Sequence, residues 1–211
     1  MNILALDTCV DACSVAVWAE GQALASLSEP MVRGHQERLA TMAAEALGAA
    51  QMTPAALDRI AVTVGPGSFT GLRVGLAFAK GLGLALGRPV IGVGALEAMA
   101  HGRTGFIGAC VDARRGRVYL QAFADGRAVM APDILDVDVA AARIAELWNG
   151  GPARLIGSGA PLLAQVLPAA EIEAAATPDP VAVAQIAAGR EPGAAPRPLY
   201  LRAPDAKIPG S

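Results

Sequence analysis

The most constraining feature of this sequence is a glycine-rich segment that joins a β-branched run to a long apolar stretch. The run from Arg59 to Val64 is typical of a buried strand, and Gly65-Pro66-Gly67-Ser68 interrupts it. The content of Leu, Ala and Lys in residues 69–86 then predicts a helix. A strand, a glycine turn and a helix in this order are typical of an α/β fold.

The glycine turn has two interpretations from the residues alone. Glycines permit backbone angles that expose N–H groups at a helix start, where Ser68 or Thr70 would help to bind an anion. The favoured interpretation is a tight turn in which Ser68 or Thr70 caps the helix. The segment does not follow the Walker pattern, in which a lysine and a hydroxyl residue follow the last glycine.

The predicted helix contains several small residues that need an explanation. Each interior glycine, such as Gly71, Gly75, Gly81 or Gly83, costs roughly 1 kcal/mol relative to alanine. Close approach of another helix would compensate for that cost. The residues alone leave open whether this helix belongs to the same chain or to a partner.

The order of predicted elements occurs twice along the chain. Three strands, an amphipathic helix over residues 35–50, a strand and a helix give βββαβα in the first half. Strands at 106–111 and 118–123 and a helix at 139–148 begin the same order again. We therefore expect two duplicated lobes, residues 1–104 and 105–211, with a cleft between them, and a poorly structured, Pro-rich tail from residue 189 that packs back on a lobe.

Composition limits the functional classes. The 211 residues are 54% hydrophobic, which is enough for a sizeable core, and the formal charge of -2 argues against an RNA or membrane surface on this chain alone. The apolar stretches Val74 to Leu86 and Pro89 to Leu96 are interrupted and shorter than the ~18 residues of a membrane span. The first residues do not resemble a signal peptide, so we expect a cytoplasmic protein.

The cysteines and histidines do not predict a metal site. Cys9, Cys13 and Cys110 lack the spacing of a zinc site and are expected to be reduced, small buried residues. The two histidines, His35 and His101, are far apart in sequence and have no spaced partners. His35 is expected to cap the helix that follows it.

Two acidic residues and a second glycine turn are the candidate nucleotide site. Asp7 and Asp112 end equivalent first strands and would hold magnesium through water. Gly157, Ser158 and Gly159 would form a nucleotide-binding turn between a strand and a helix. The structural alternative is that the two carboxylates cap turns and that the glycines only connect the two elements.

Several motifs together resemble the bacterial TsaB (YeaZ) family. The resemblance is strong over residues 1–118 and continues weakly through Gly157 to Ala160 and Leu199-Tyr200-Leu201-Arg202. Its most specific part is Gly-Pro-Gly-Ser-Phe-Thr-Gly-Leu-Arg. The segments that carry it are Leu4-Ala5-Leu6-Asp7-Thr8, His35-Gln36-Glu37-Arg38-Leu39, Gly65 to Gly75, Ala79-Lys80-Gly81-Leu82, Gly92 to Glu97 and Val111-Asp112-Ala113-Arg114-Arg115-Gly116.

The resemblance implies an actin-like fold (ASKHA, ribonuclease H-like) and a non-catalytic role. A TsaB-like protein activates a TsaD-type threonylcarbamoyl transferase, which forms N6-threonylcarbamoyladenosine at position 37 of tRNAs reading codons that begin with A. A TsaE-type ATPase joins the pair, and tRNA is bound through the complex. The chain would have no cofactor of its own, whereas the complex uses ATP and magnesium. Ala95 and Met99 stand at the positions of the transferase's two metal-binding histidines, so no metal is expected there.

The resemblance also implies a partner surface on the two helices of the first lobe, and it gives the small residues of the second helix an external partner. In isolation the same surface would form a homodimer. The expected partner-binding residues are Leu39, Met42, Ala43, Ala46, Thr70, Arg73, Val74, Ala77 and Lys80.

Two other functional classes are alternatives. The chain would be an independent actin-like ATPase or small-molecule kinase if Asp7, Asp112 and the Gly157 turn bound nucleotide. A metalloprotease is disfavoured because no histidines have metal-ligand spacing.

Overall fold

The first of two β-sheets is built from residues 2–93. The computed structural model describes residues 1–148, 150–151 and 153–202. The strand order in this sheet is β3-β2-β1-β4-β5, with β1, β2 and β3 antiparallel and with β4 and β5 parallel to β1. Its strands are β1 (Asn2–Asp7), β2 (Ala12–Ala19), β3 (Gln22–Pro30), β4 (Arg59–Thr63) and β5 (Val90–Val93).

The second sheet repeats this topology. Its order is β11-β10-β6-β7-β8, and β9 also pairs with β7. The strands β10 and β11 run parallel to β6, as β4 and β5 run parallel to β1. Its strands are β6 (Phe106–Arg114), β7 (Arg117–Ala124), β8 (Arg127–Ala128), β9 (Asp133–Asp136), β10 (Ala153–Ile156) and β11 (Glu171–Glu173).

Helices connect equivalent strands in the two lobes. A short 3₁₀ turn at Pro54–Ala56 precedes β4. The helices are α1 (His35–Ala49), α2 (Phe69–Leu86), α3 (Ala95–Ala100), α4 (Val137–Leu147), α5 (Ala160–Ala164) and α6 (Pro180–Ala188). The predicted α/β, actin-like fold with two duplicated βββαβα lobes is confirmed, and each lobe adds a further strand and helix.

The last helix of each half packs on the sheet of the other half. Leu96 and Met99 of α3 share a cluster with Ile107 and Phe123 of the second sheet. On the first sheet, α6 places its apolar face against β1, β2 and β4, and the cluster contains Ile3, Ala5, Ala16, Ala61, Val183, Ala184 and Ala187. The division of the chain at residue 104 stays a prediction, but α6, expected in the second lobe, packs on the first sheet.

The glycines at the start of α2 allow it to approach the end of β1. A Cβ atom on Gly71 would overlap the carbonyl oxygen of Thr8, and one on Gly67 would overlap that of Cys9. A Cβ atom on Gly75 would lie 2.6 Å from Thr8 Oγ1. The small residues at these positions therefore serve a contact within the chain.

The other glycines of α2 differ in their surroundings. A Cβ atom on Gly83 would lie 2.5 Å from Val90 Cγ2, whereas one on Gly81 would meet nothing within 4 Å. The expectation that an external partner explains the small residues of this helix is therefore wrong for Gly71, Gly75 and Gly83. A neighbouring strand, and not another helix, is the close element.

The helix α2 is also long and apolar. Within the described part of the chain it is the one helix that is long and apolar enough to cross a membrane, with a mean hydropathy of 1.3 over 18 residues. The expectation counted the apolar stretch only from Val74, whereas the predicted helix begins at Phe69 and reaches 18 residues with Phe69 to Arg73 included. A helix that packs on a sheet in a soluble protein meets the same test, and 33% of α2 is buried here.

The described part of the C-terminal segment is fixed on the first lobe. The Arg190 guanidinium bonds the Glu97 carboxylate at 2.5 and 2.7 Å, and Pro196 packs against Gly92. Leu199 then donates its N–H to a carbonyl oxygen of the first lobe at 2.8 Å. Residues 189–202 are irregular and packed, in agreement with the predicted packing of the tail on a lobe. Residues 203–211 of the predicted tail lie outside the described residues.

We predict that Gly71→Ala destabilises the fold and that Gly81→Ala does not. The new Cβ at position 71 meets a backbone carbonyl that cannot rotate away, so the free energy of unfolding should fall by about 1–3 kcal/mol. Position 81 is open, and alanine there should raise it by up to about 1 kcal/mol. Urea unfolding of the two variants checks this, and equal effects would contradict the packing described for α2.

Candidate functional site

A cleft of about 520 Å³ separates the two lobes. The turn after β1 contributes Val10 and Asp11 to its lining, and the end of β6 contributes Asp112 and Arg114. The start of α2 contributes Ser68 from the first lobe. The cleft therefore lies where the carboxyl ends of the two equivalent first strands meet.

The buried carboxylate of Asp7 lies beneath this cleft and does not line it. Its side chain is fully buried, and Oδ1 accepts hydrogen bonds from Thr63 Oγ1 at 2.6 Å, from Cys9 Sγ at 2.8 Å and from the Cys9 backbone N–H at 3.2 Å. Oδ2 is buried without a hydrogen-bond partner among the described residues. This position corrects the expectation that Asp7 faces a nucleotide.

The environment of Asp7 also changes its acidity. Burial raises the pKa of the carboxyl above its usual value, while the hydrogen bonds from Cys9 and Thr63 act in the opposite direction. Burial and the nearby Asp7 charge likewise raise the pKa of the Cys9 thiol well above its usual value. A thiol in this setting stays protonated and donates to the carboxylate, so the pair stabilises the turn after β1.

The second candidate carboxylate, Asp112, does face the cleft together with Ser158. The Asp112 backbone N–H donates to Ser158 Oγ at 3.1 Å. The Asp112 carboxylate accepts a bond of 2.7 Å from the Arg114 backbone N–H and one of 3.2 Å from its guanidinium. The bond to Ser158 therefore joins the end of β6 to the turn after β10, while the Arg114 bonds are local to the end of β6.

The two glycines that flank Ser158 serve packing. Gly157 has a φ of +110°, and a Cβ atom there would overlap the Cys110 carbonyl oxygen. A Cβ atom on Gly159 would lie 3.0 Å from Val118 Cγ1. Both glycines are buried against the second sheet, so Asp112 and Ser158 are the two predicted nucleotide residues that reach the cleft.

The first glycine turn is used inside the chain as well. Ser68 is the N-cap of α2, and its Oγ accepts a bond of 3.3 Å from the Gly71 N–H. The Ser68 N–H donates to the Cys9 carbonyl oxygen at 2.7 Å, and Thr8 Oγ1 donates to the Gly71 carbonyl oxygen at 2.8 Å. The prediction that Ser68 caps the helix is therefore confirmed. The N–H groups of Ser68 and Gly71 are already bonded within the chain, so they are not available to an anion.

The cleft contains residues that the sequence did not assign to it. The sequence predicts that His35 caps α1, but the N-cap is Gly34, which has no side chain to bond the first N–H groups of the helix. His35 is instead buried and lines the cleft. Phe69 and Tyr200 line it from α2 and from the C-terminal segment. The run Leu199-Tyr200-Leu201-Arg202 was the available signal, because it belongs to the weaker part of the family resemblance.

The positions aligned with metal-binding histidines are in the core. Ala95 and Met99 of α3 are 0% and 2% exposed and contact the apolar cluster of the second sheet. Over the described ranges, no group of three or more His, Cys, Asp and Glu side chains is placed to hold a metal ion. The three cysteines are buried and unpaired, as the sequence indicated.

A second depression of about 320 Å³ lies on the outside of the first lobe, between α1 and α2. We call this surface the helix groove. Its lining residues are Gln36, Leu39, Arg73, Val74, Ala77 and Phe78.

The nine expected partner-binding residues differ in their exposure. Four of the nine expected residues, Leu39, Met42, Ala43 and Ala46, are at most 3% exposed because they are the core-facing stripe of α1. The five on α2 differ: Val74 is half-buried, and Thr70, Arg73, Ala77 and Lys80 are exposed. Whether these residues bind a partner stays a prediction.

The charge on the helix groove is unevenly distributed. No acidic residue occurs in α2, and Arg73 and Lys80 are exposed two helical turns apart. On α1, Arg38 is already paired with Glu29 at 2.6 Å and with Glu45 at 2.7 Å. The exposed face of α2, with Arg73 in the groove and Lys80 beyond it, is therefore basic, while Arg38 of α1 is neutralised.

Comparison with known proteins gives a consistent set of relatives. The family model described as "TsaD: tRNA N6-adenosine threonylcarbamoyltransferase" matches residues 28–154. An uncharacterized protein of Mycobacterium tuberculosis is 36% identical over 212 residues, which cover 98% of this chain and 94% of that protein. The tRNA threonylcarbamoyladenosine biosynthesis protein TsaB of Escherichia coli is 40% identical over 124 residues, or 56% of this chain and 53% of TsaB. The match thus spans about half the length of that TsaB protein.

Solved structures agree with the sequence relatives. The structure of YeaZ from Pseudomonas aeruginosa has a TM-score of 0.75 to this chain at 30% identity. The match covers 89% of this chain and 90% of that one. The likeness therefore includes both lobes.

We predict that the stability of the chain falls with rising pH through Asp7. A raised pKa in the folded state favours the protonated carboxyl, so this contribution is complete below about pH 4 and is lost as the pH rises through the folded pKa. Urea unfolding between pH 4 and 8 should therefore show a steeper decline for the unchanged chain than for Asp7→Asn. Asp138→Asn, which removes an exposed carboxylate of α4, is the control, and identical slopes for the unchanged chain and Asp7→Asn would contradict the prediction.

Proposed function

Because the chain belongs to the TsaB (YeaZ) family, we propose that it acts in tRNA threonylcarbamoyladenosine biosynthesis as a non-catalytic subunit that activates a TsaD-type threonylcarbamoyl transferase. The observation that carries this proposal is the helix groove. It is an apolar depression with one exposed cation, Arg73, in its lining, on the part of the chain that the transferase-family model matches.

The relation between the chain and the transferase family supports pairing through these helices. The family match over residues 28–154 includes α1 and α2, so a TsaD-type partner has an equivalent helix pair. Two related helix pairs can pack around an approximate two-fold axis, with each α2 against the other pair. Leu84, which is 87% exposed on α2, would be covered in such a complex.

The absence of catalysis by the chain alone is supported by its side chains. Ala95 and Met99 cannot ligate a hard metal ion, and both are buried. The Asp7 carboxylate is enclosed and bonded to Thr63 and Cys9, so it is not available to a bound nucleotide. We therefore propose that the transferase holds the metal and that this chain provides a surface to which the transferase binds.

The further parts of the proposal concern the complex. A TsaE-type ATPase joins the pair in the cytoplasm, and ATP and magnesium are used by the complex and not by a cofactor site of this chain. The tRNA, modified at position 37 where it reads codons that begin with A, is bound through the complex. Without the transferase, a second copy of the chain covers the helix groove, which gives a homodimer.

We predict that the purified chain makes no modified tRNA alone and restores the activity of a mixture that lacks it. The mixture contains the transferase, the ATPase, threonylcarbamoyl-adenylate, ATP, magnesium and tRNA, and the modified nucleoside is measured by mass spectrometry. Modification by the chain alone would overturn the proposal. Calorimetry with Mg-ATP tests the alternative of an independent ATPase or kinase, which requires tight binding and turnover by the chain alone.

We predict that Ala77→Glu weakens pairing with the transferase. The change buries a carboxylate in an apolar part of the helix groove, and a cost of about 3 kcal/mol weakens binding about 100-fold. Ala142→Glu, on the exposed face of α4 in the second lobe, is the matched control and should bind normally. Equal affinity for both variants in calorimetry would show that another surface pairs.

A further inference from the structure

Four residues of the C-terminal segment connect the two lobes. Leu199 donates its N–H to the Val64 carbonyl oxygen of the first lobe at 2.8 Å. Three residues later, Arg202 Nη1 donates to the Ala113 carbonyl oxygen of β6 in the second lobe at 3.0 Å. We call residues 199–202 the strap, because they cross from one lobe to the other and line the cleft between them.

The strap also contacts the outward face of α2. The Tyr200 ring lies 4.9 Å from the Phe69 ring, centroid to centroid. Arg73 Nε donates to Tyr200 Oη at 3.2 Å, and the Arg73 guanidinium lies 3.8 Å from the Phe69 ring centroid. Arg73 lines the helix groove as well, so one side chain joins the groove to the strap.

The contacts of Arg73 leave part of its hydrogen-bonding capacity unused. Within the described part of the chain, its bond to Tyr200 uses Nε, and the terminal nitrogens have no acceptor. A guanidinium held on an aromatic ring is ordered and therefore suited to a carboxylate from outside. With Lys80 on the same face and no acid in α2, the chemistry selects a partner helix that carries Asp or Glu.

Tyr200 has the properties of an interface residue. It is 42% exposed beside the groove, and its ring is already ordered by Phe69 and Arg73. Tyrosine and arginine are over-represented among residues that dominate binding energy, since both combine apolar area with hydrogen bonds.

We propose that the partner surface continues from the helix groove onto the strap, with Tyr200 as a contact residue and an acidic helix of the transferase-type partner as the occupant. This inference rests on the proposed function. A partner bound over Arg73 and Tyr200 covers the strap, and the strap is bonded to both lobes. The partner therefore stabilises the cleft arrangement seen here, because it binds this arrangement more tightly than one with the strap released.

The test compares Tyr200→Ala, Tyr200→Phe and the control Ile172→Ala in the full chain. Ile172 is 50% exposed on the edge strand β11 and lies outside the groove and the strap. With the transferase-type protein of the same organism as the probe, calorimetry should show affinity about tenfold lower for Tyr200→Ala. Tyr200→Phe keeps the ring contact and should bind within about threefold of the unchanged chain, as should Ile172→Ala.

Hydrogen exchange supplies the second measurement. In the unchanged chain, partner binding should slow exchange of the amides of residues 199–202 at least tenfold, and Tyr200→Ala should abolish this effect. Unchanged affinity for Tyr200→Ala, or unchanged exchange of the strap in the complex, overturns the inference while the proposed function stands. Failure of the unchanged chain to bind the transferase overturns both.

Discussion

The contact between the start of α2 and the end of β1 is the one on which the rest of the structure depends. Gly67 and Gly71 leave room for the carbonyl oxygens of Cys9 and Thr8, and hydrogen bonds in both directions join the two segments. This contact fixes the rotation of α2 about its axis. Because successive residues of a helix are about 100° apart, Gly71 and Gly75 against β1 place Arg73, Ala77 and Lys80 on the opposite, outward side.

The exchange of terminal helices has a comparable effect on the lobes. Because α3 packs on the second sheet and α6 on the first, each lobe completes its core with a helix from the other half. Rotation of one sheet against the other would expose the apolar faces of both helices. The ion pair between Arg190 and Glu97 and the strap add polar contacts to this junction. The cleft geometry is therefore tied to the packing of α3 and α6.

The sequence predicted the elements well because their signals are local. Alternation, helical periodicity and the Ser68 cap depend on neighbouring residues, and the structure has them where expected. The local sequence of an element does not show which other elements pack against it. Gly71 and Gly81 look equivalent in a run of small residues, yet one contacts β1 and the other meets nothing.

The same limit explains the errors on α1 and in the C-terminal segment. The apolar spacing of Leu39 to Leu47 was predicted correctly as one face of a helix, but such a stripe normally faces the core of its own chain. Residues 189–202 have no periodicity because their contacts come from an irregular backbone and a few side chains. Such a segment resembles a tail until its partners are known.

The hydrogen bonds that the lining residues already make decide which of the two depressions is better suited to a ligand. In the cleft, Asp112 and Ser158 bond each other or Arg114, while two buried atoms, Asp7 Oδ2 beneath the surface and His35 Nε2 in the lining, have no partner among the described residues. A ligand that bonded Asp112 or Ser158 would have to displace existing bonds, and the exchange brings little net free energy. The helix groove instead combines exposed apolar surface with the cation Arg73, and Lys80 lies on the same face of α2 outside the groove; no ion pair is formed by either among the described residues. Covering it removes apolar area from water and adds new hydrogen bonds, so a protein surface is the ligand that gains most from this chain.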